Sequence, residues 1–272
     1  MSVQNNHTLS PDAGARLTAA RAMATEAGAL LRSYLEVRPE GRLKGEVDLV
    51  TEADQRSEAL ILEVIEARFP KDAVLAEESG GVLNDECEWN WVIDPLDGTT
   101  NFVHGLDHFA VSIGVLCRGV PTLGVIGIPA RDEVYWAARG QGAWGPRGRL
   151  RVTEEEALGS ALVATGFPYD RRELADSLAS TVREALTRAR GVRRMGAAAL
   201  DLLGVARGQF GGYWERGISA WDVAAGLVMV EEAGGTVTDH DGQAITDLQA
   251  GRFLASNGPL HPQLLSMIQD SK

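Results

Sequence analysis

The segment Trp91-Val92-Ile93-Asp94-Pro95-Leu96-Asp97-Gly98-Thr99-Thr100-Asn101-Phe102 holds the residues best suited to chemistry in this chain. An apolar run delivers two carboxylates, three positions apart, onto a turn that then offers Gly98, Thr99 and Thr100. Apolar residues closed off by Pro and Gly read as a buried strand ending in a loop. Pro95 fixes its own φ and biases Asp94 towards extended backbone, so the turn is stiff. Hard divalent cations take carboxylate and carbonyl oxygens on rigid geometry. A Gly-Thr-Thr segment can present N–H groups and hydroxyls to a phosphate. Together these features describe a metal site with a phosphate seat beside it. Asp-Pro and Asp-Gly are also ordinary turn dipeptides, so this segment alone is equally a plain turn.

Further segments bring acids of the same kind. Asp48-Leu49-Val50-Thr51-Glu52-Ala53-Asp54 puts Thr51 and Asp54 at a helix start, where both are common caps. Ala76-Glu77-Glu78-Ser79-Gly80 ends a short apolar strand with two acids and is equally a solvated loop. Trp221-Asp222-Val223-Ala224-Ala225-Gly226 sets an Asp at the head of an apolar helix, which is also an N-cap pattern. Tyr213-Trp214-Glu215-Arg216-Gly217 places an acid seven positions before Asp222.

The elements that must position these acids alternate between helix and strand. Pro11-Asp12 opens a helix to about Leu35, with Leu17, Ala20, Ala24, Ala27 and Leu31 at helical spacing. A second helix is predicted over Asp54–Phe69. Strands are predicted at Ala73–Ala76, Trp89–Ile93, Ala110–Leu116, Thr122–Ile128, Val134–Ala138 and Ala161–Thr165. Cys117 to Pro121 reads as a hairpin between two of them. Helices near Leu174–Arg190, Ala197–Arg207 and Asp222–Ala233 follow, then strands Thr236–Thr238 and Phe253–Ala255 and a last helix His261–Gln269. Gly140-Gln141-Gly142-Ala143-Trp144-Gly145 matches a dinucleotide-binding pattern, but Pro146 and strand-like Leu150–Val152 follow where a helix is needed, so it reads as a turn. Asp239-His240-Asp241-Gly242 lacks the further ligands of a calcium loop and reads as a hairpin turn.

At 272 residues the chain can bury a substantial core, as one domain of two packed halves, approximately 1–150 and 151–272. A hydrophobic share of 44% and a charged share of 24% are ordinary for a soluble protein. No apolar stretch approaches the roughly 18 residues that span a bilayer. Met1 to Ala13 has no secretory signature, and two cysteines make no disulfide framework, so the expected setting is cytoplasmic. A net charge of −12 argues against direct nucleic-acid binding. Arg188, Arg190, Arg193 and Arg194 read as solvated helix-end charge.

Taken together, the segments around Asp94–Phe102 and Trp221–Gly226, with Glu77-Glu78-Ser79 upstream, resemble the inositol monophosphatase family of lithium-sensitive, magnesium-dependent phosphatases. The likeness runs from Asp48 to about Gly235. It implies an α/β layered fold, an αβαβα sandwich of alternating helix pairs and sheets, and a homodimer. It implies that Glu77, Asp94 and the Leu96 carbonyl hold one Mg²⁺, that Asp94, Asp97 and Asp222 hold a second, and that a third leans on Glu77. Asp54 and Thr99 would activate the attacking water, and Gly98, Thr99 and Thr100 would cradle the phosphate. Elementary electrostatics agrees with a cation requirement: two like charges about 4 Å apart cost about 4 kcal/mol at an effective dielectric near 20. The implied reaction is in-line attack of metal-activated water on phosphorus, inhibited by Li⁺. A haloacid-dehalogenase arrangement is excluded because two residues, the first Pro95, separate the acids. No G-x-S-x-G, P-loop or H-E-x-x-H occurs.

The expected substrate is a small phosphorylated polyol or sugar, first of all inositol 1-phosphate. Thr100 stands where adenosine-bisphosphate hydrolysing members tend to carry Lys. Glu215 matches the family acid that contacts substrate hydroxyls, and Gly196 and Ala198 match residues lining the inositol seat. Between them the family usually has Ser or Thr; this chain has Ala197, which removes a hydrogen-bond partner. Histidinol-phosphate phosphatase and fructose-1,6-bisphosphatase activities stand as alternatives, and a regulatory role on the transcription machinery as one of a different class.

Overall fold

The structure, a computed structural model, describes residues 9–35, 42–43 and 49–270. Asp48 and residues 1–8 of the expected leading segment lie outside the described residues. Alanine at helical spacing lets α1 (Pro11–Leu35) lie close to its neighbours, and Ala19, Ala20, Ala24 and Ala27 are buried. β1 (Arg42–Leu43) pairs with β2 (Leu49–Val50), and α2 (Glu52–Arg68) follows. Helix α2 begins two residues before the expected Asp54 because Thr51 is its N-cap. Among the described residues no helix is long and apolar enough to cross a membrane.

The larger sheet comprises β3 (Ala73–Ala76), β4 (Gly80–Gly81), β5 (Trp89–Asp97), β6 (Ala110–Cys117), β7 (Val120–Ile128), β8 (Glu133–Ala138), β9 (Gly142–Gly145) and β10 (Gly148–Arg149). A short helix, α3 (Thr99–Val103), sits between β5 and β6. The strand order is β10-β9-β8-β7-β6-β5-β3-β4, a meander from β5 to β10 with β3 added in parallel to β5. The β6–β7 hairpin is tighter than expected: Cys117 pairs with Val120, and Arg118 and Gly119 both have positive φ. The glycine-rich segment at 140–145 forms a turn and β9, with no helix after it. Leu150–Val152 is not a strand; the sheet ends at Arg149, and Val152 N–H bonds instead to the Ala233 carbonyl.

The second sheet comprises β11 (Leu162–Thr165), β12 (Gly191–Arg193), β13 (Gly212–Arg216), β14 (Thr236–Thr238) and β15 (Arg252–Ser256) in the order β12-β11-β13-β15-β14. Its helices are α4 (Ala175–Arg188), α5 (Ala198–Ala206), α6 (Ala220–Glu232) and α7 (His261–Gln269). The turn at Asp239–Gly242 closes on itself, with Asp239 accepting from the Asp241 and Gln243 N–H groups. It opens the connection between β14 and β15, which pair antiparallel with Thr238 opposite Leu254, so the link is a long hairpin loop over 239–251 and not a tight turn.

Three apolar clusters define the layers. α1 and α2 pack on one face of the large sheet. α5 and α6 fill the space between the two sheets. α4 and α7 cover the outer face of the small sheet. The molecule is therefore an αβαβα sandwich. Close approach of α6 to the large sheet depends on glycine. A Cβ on Gly114 would lie 2.6 Å from the Cβ of Ala224, and one on Gly124 would meet the backbone of Ala225. That contact, with Ser112 Oγ donating to the Trp221 carbonyl at 3.3 Å, lowers the N-terminal end of α6 onto the end of β5.

Candidate active site

All of β5 is buried, from Trp89 to Asp97. In a regular strand, residues three apart point to opposite faces. Here the pairing with β6 slips between Asp94 and Asp97, so Pro95 and Leu96 form a bulge. Pro95 suits that position because it has no N–H to contribute to a ladder. The bulge brings both acids into one pocket. It is braced from behind, where Ser57 Oγ donates to the Pro95 carbonyl at 2.9 Å and Asp94 Oδ1 accepts from Leu96 N–H at 2.9 Å. Gly98 then turns the chain at φ 92°, in the left-handed region, where a Cβ would lie 3.1 Å from the His108 carbonyl.

Asp54 does two things at once. Its Oδ2 accepts from Thr51 N–H and hydroxyl, completing the capping box of α2. Its Oδ1 accepts from the Thr99 hydroxyl at 2.9 Å, and that hydroxyl also lies 3.1 Å from the Leu96 carbonyl. Asp222 is not the N-cap of α6. Ser219 caps the helix, and Asp222 is the third helical residue, accepting from Ser219 N–H at 2.9 Å. Asp97 reaches across to α5, accepting from Ala198 N–H at 3.2 Å and Ala199 N–H at 2.7 Å. Ala197 is the N-cap of α5 and supplies no side-chain bond, so Asp97 satisfies those donors instead.

Carboxylate oxygens of Asp94, Asp97 and Asp222 lie within 4.8 Å of one another, the first two buried and the third partly buried. A pocket of about 300 Å³ opens onto them. Every residue expected at the site lines it except Asp54, which is fully buried behind Thr99. Glu77, Leu96, Gly98, Thr99, Thr100, Gly196, Ala197, Ala198 and Glu215 are all on its wall.

Sequence reasoning missed several contributors. Glu58 accepts from the N–H groups of Glu78 and Ser79 at 2.8 and 2.7 Å, holding the loop that carries Glu77. Asn101 donates to the His108 and Met195 carbonyls at 2.7 and 2.9 Å, tying the Gly196 loop to α3. Asp201 lines the pocket from α5, and an acid within a helix buried on all sides was the available signal. Arg194 was expected among helix-end charges, but α4 stops at Arg188, and Arg194 faces the pocket with its guanidinium 5.4 Å from the Phe167 ring.

Electrostatics marks the acids as crowded. Burial holds Asp94 well above the usual carboxylate range, and Glu77, Asp97 and Asp222 push it further. Burial, then Asp97 and Glu77, does the same for Asp222. Asp97 is raised by burial to about 7 even though backbone N–H groups of α5 favour its ionised form. Glu215 is raised to about 7 by burial, opposed by the Tyr213 hydroxyl and Arg194. Burial also raises Asp54, outweighing its bonds to Thr51 and Thr99. An all-oxygen donor set of converging carboxylates suits a hard divalent cation, whose charge would offset this crowding.

Comparison with known proteins agrees with this geometry. The model of the inositol monophosphatase family matches residues 14–272. An inositol-1-monophosphatase from Synechocystis is 48% identical over 217 residues, which is 80% of this chain and 75% of that protein. This chain belongs to the inositol monophosphatase family. Among other members, a protein from Pasteurella multocida named Nus factor SuhB is 41% identical, over 84% of this chain and 85% of its own. The solved inositol monophosphatase of Anabaena (Nostoc) superposes with a TM-score of 0.86 at 44% identity, covering 95% of this chain and 97% of that one. Membership of the inositol monophosphatase family makes the protein a phosphomonoesterase of αβαβα fold.

Proposed function

We propose that this enzyme hydrolyses inositol 1-phosphate to inositol and phosphate with two or three Mg²⁺ ions. The observation that carries the reading is the convergence of Asp94, Asp97 and Asp222 beside the Gly98 turn. Asp94, Asp97 and Asp222, with Glu77 and the Leu96 carbonyl, would hold the ions. When bound, Mg²⁺ supplies charge neutralisation for the acids and the phosphate and makes water more acidic. Thr99, whose hydroxyl donates to the buried Asp54, would orient the attacking water, taking its proton on Oγ1 as its own hydroxyl proton passes to Asp54. A carboxylate whose pKa burial has raised is the better base for that task. Backbone N–H groups of Gly98, Thr99 and Thr100 hold the phosphate oxygens. Glu215 accepts from substrate hydroxyls, beside Gly196, Ala197 and Ala198. Arg194 offsets part of the negative charge of the site.

Phosphate release on inositol 1-phosphate, histidinol phosphate and fructose 1,6-bisphosphate, with Mg²⁺ and with EDTA, tests the reading. Highest kcat/KM on the inositol ester supports it, and a preference for another ester reassigns the substrate. The family resemblance supports a homodimer, and two free cysteines fit a reducing setting such as the cytoplasm. A second reading, contact with the transcription machinery, is favoured by the 41% identity to a protein named Nus factor. Affinity purification with and without RNA tests it, and recovery of no transcription component ends it.

A further inference from the structure

Strand β13 carries Tyr213, Trp214 and Glu215 in succession. Side chains two apart on a strand share a face, so Tyr213 and Glu215 point the same way. Trp214, on the opposite face, belongs to the apolar cluster beneath α4 and α7. Tyr213 belongs instead to the cluster that α5 and α6 fill between the sheets. Of these three residues Glu215 alone lines the phosphatase pocket.

Two contacts pin the Glu215 carboxyl from behind. The Tyr213 hydroxyl donates to its Oε2, and Tyr213 is completely buried, so no solvent competes for that hydroxyl. Gly166 closes on the same carboxyl, because a Cβ there would overlap Oε2. The φ of Gly166 is not positive, so space and not backbone conformation requires glycine. Gly166 is itself held in place. Thr165 sits opposite Trp214 in the parallel pairing of β11 with β13, and its Oγ1 donates to the Trp214 carbonyl at 2.8 Å. A glutamate side chain has several rotamers to lose, and fixing it takes contacts of this kind. With Oε2 engaged by Tyr213, Oε1 is left for a ligand. Burial drives the carboxyl towards its neutral form, while the Tyr213 bond and Arg194 favour the ionised one. An ionised acceptor binds a hydroxyl about twice as strongly as a neutral one.

We propose that Tyr213 is a positioning residue for substrate choice. Its hydroxyl, with the bare backbone of Gly166, holds Glu215 so that Oε1 is presented to the hydroxyls of a polyol ester. This role rests on the proposed function of Glu215 as acceptor for substrate hydroxyls, and it goes further: the acid discriminates polyols well only while Tyr213 fixes it.

Steady-state kinetics of the full-length protein in Mg²⁺ tests this, with inositol 1-phosphate as substrate and inorganic phosphate as inhibitor. The wild type is compared with Tyr213→Phe and Glu215→Gln. Phe keeps the ring and its packing and removes the hydroxyl alone. Tyr213→Phe is expected to raise KM about three- to tenfold, the range of one hydrogen bond, with kcat within about twofold. The Ki of phosphate is expected to stay unchanged, because phosphate carries no polyol for Glu215 to hold. Gly166→Ala, which displaces the same carboxyl, is expected to raise KM for the ester with the same unchanged Ki, and it carries the test if the Phe variant does not fold. Glu215→Gln is expected to raise KM at least as much as Tyr213→Phe. An unchanged KM in Tyr213→Phe beside a raised one in Glu215→Gln would overturn the role of Tyr213 and leave that of Glu215 standing. An unchanged KM in Glu215→Gln would overturn both. A Tyr213→Phe defect spread equally over kcat, KM and the Ki of phosphate would also overturn the role of Tyr213, since lost packing would account for it.

Discussion

Single residues in this site hold two jobs, and the second job changes what a substitution should do. Asp97 is a candidate metal ligand and also satisfies the first N–H groups of α5. A Ser or Thr at position 197 would ordinarily stabilise such a helix start by about 1 kcal/mol. Because Asp97 already engages those donors, Ala197→Ser is expected to leave thermal stability unchanged within about 0.5 kcal/mol. Its hydroxyl instead adds a hydrogen-bonding group to the pocket wall. KM for inositol 1-phosphate should therefore fall about two- to tenfold, the range of one neutral hydrogen bond. Melting curves and steady-state kinetics on the purified variant separate the two effects. A rise of several degrees in Tm with unchanged KM would show that Ala197 acts on the helix alone.

The elements explain why part of this site was legible in the sequence and part was not. Pro95 and Gly98 announce the end of β5, and the apolar run before them announces the strand, because chain stiffness and positive φ leave marks in residue type. Asp222 was correctly placed at the head of α6, although capping by Ser219 puts the helix start earlier. Strands β12 and β13 were missed, the first being three residues long and the second two aromatics followed by an acid. The braces were also invisible. Ser57, Glu58 and Asn101 act on backbone distant in sequence, and nothing in their own neighbourhood signals the partner. Glu58 offers the clearest test, since one carboxylate accepts from two N–H groups. Glu58→Gln keeps one acceptor and turns a donor towards the other N–H, at a cost of about 1–3 kcal/mol. The loop carrying Glu77 loosens, so half-saturating Mg²⁺ should rise while kcat at saturating Mg²⁺ is largely kept. An unchanged Mg²⁺ dependence would mean that Glu77 is positioned by other contacts.

At the scale of the whole molecule, three layers of helix clamp two sheets so that acids from β5 and α6 meet in a buried place. The chain already carries a net charge of −12, so gathering acids opposes folding unless protons or cations offset them. The direction of the pH dependence follows from the raised carboxyls. Asp97 and Glu215 stand at about 7 in the metal-free fold, against ordinary carboxylate values of about 4. Between those limits the folded protein holds protons that the unfolded chain has released. Stability from these groups is present below about pH 4 and is lost as pH rises through about 7. Mg²⁺ replaces the protons, so the gap in Tm between Mg²⁺ and EDTA should be small at pH 5 and wide at pH 8. A gap that does not change with pH would contradict the placement of the cations among these acids. The most direct test of the central claim is phosphate release from inositol 1-phosphate by the wild type and Asp94→Asn, each in Mg²⁺ and in EDTA. The expected result is turnover by the wild type in Mg²⁺ alone, with Asp94→Asn folded but slower by about a hundredfold or more. Turnover that survives EDTA, or near-normal turnover by Asp94→Asn, would contradict a metal site built on Asp94.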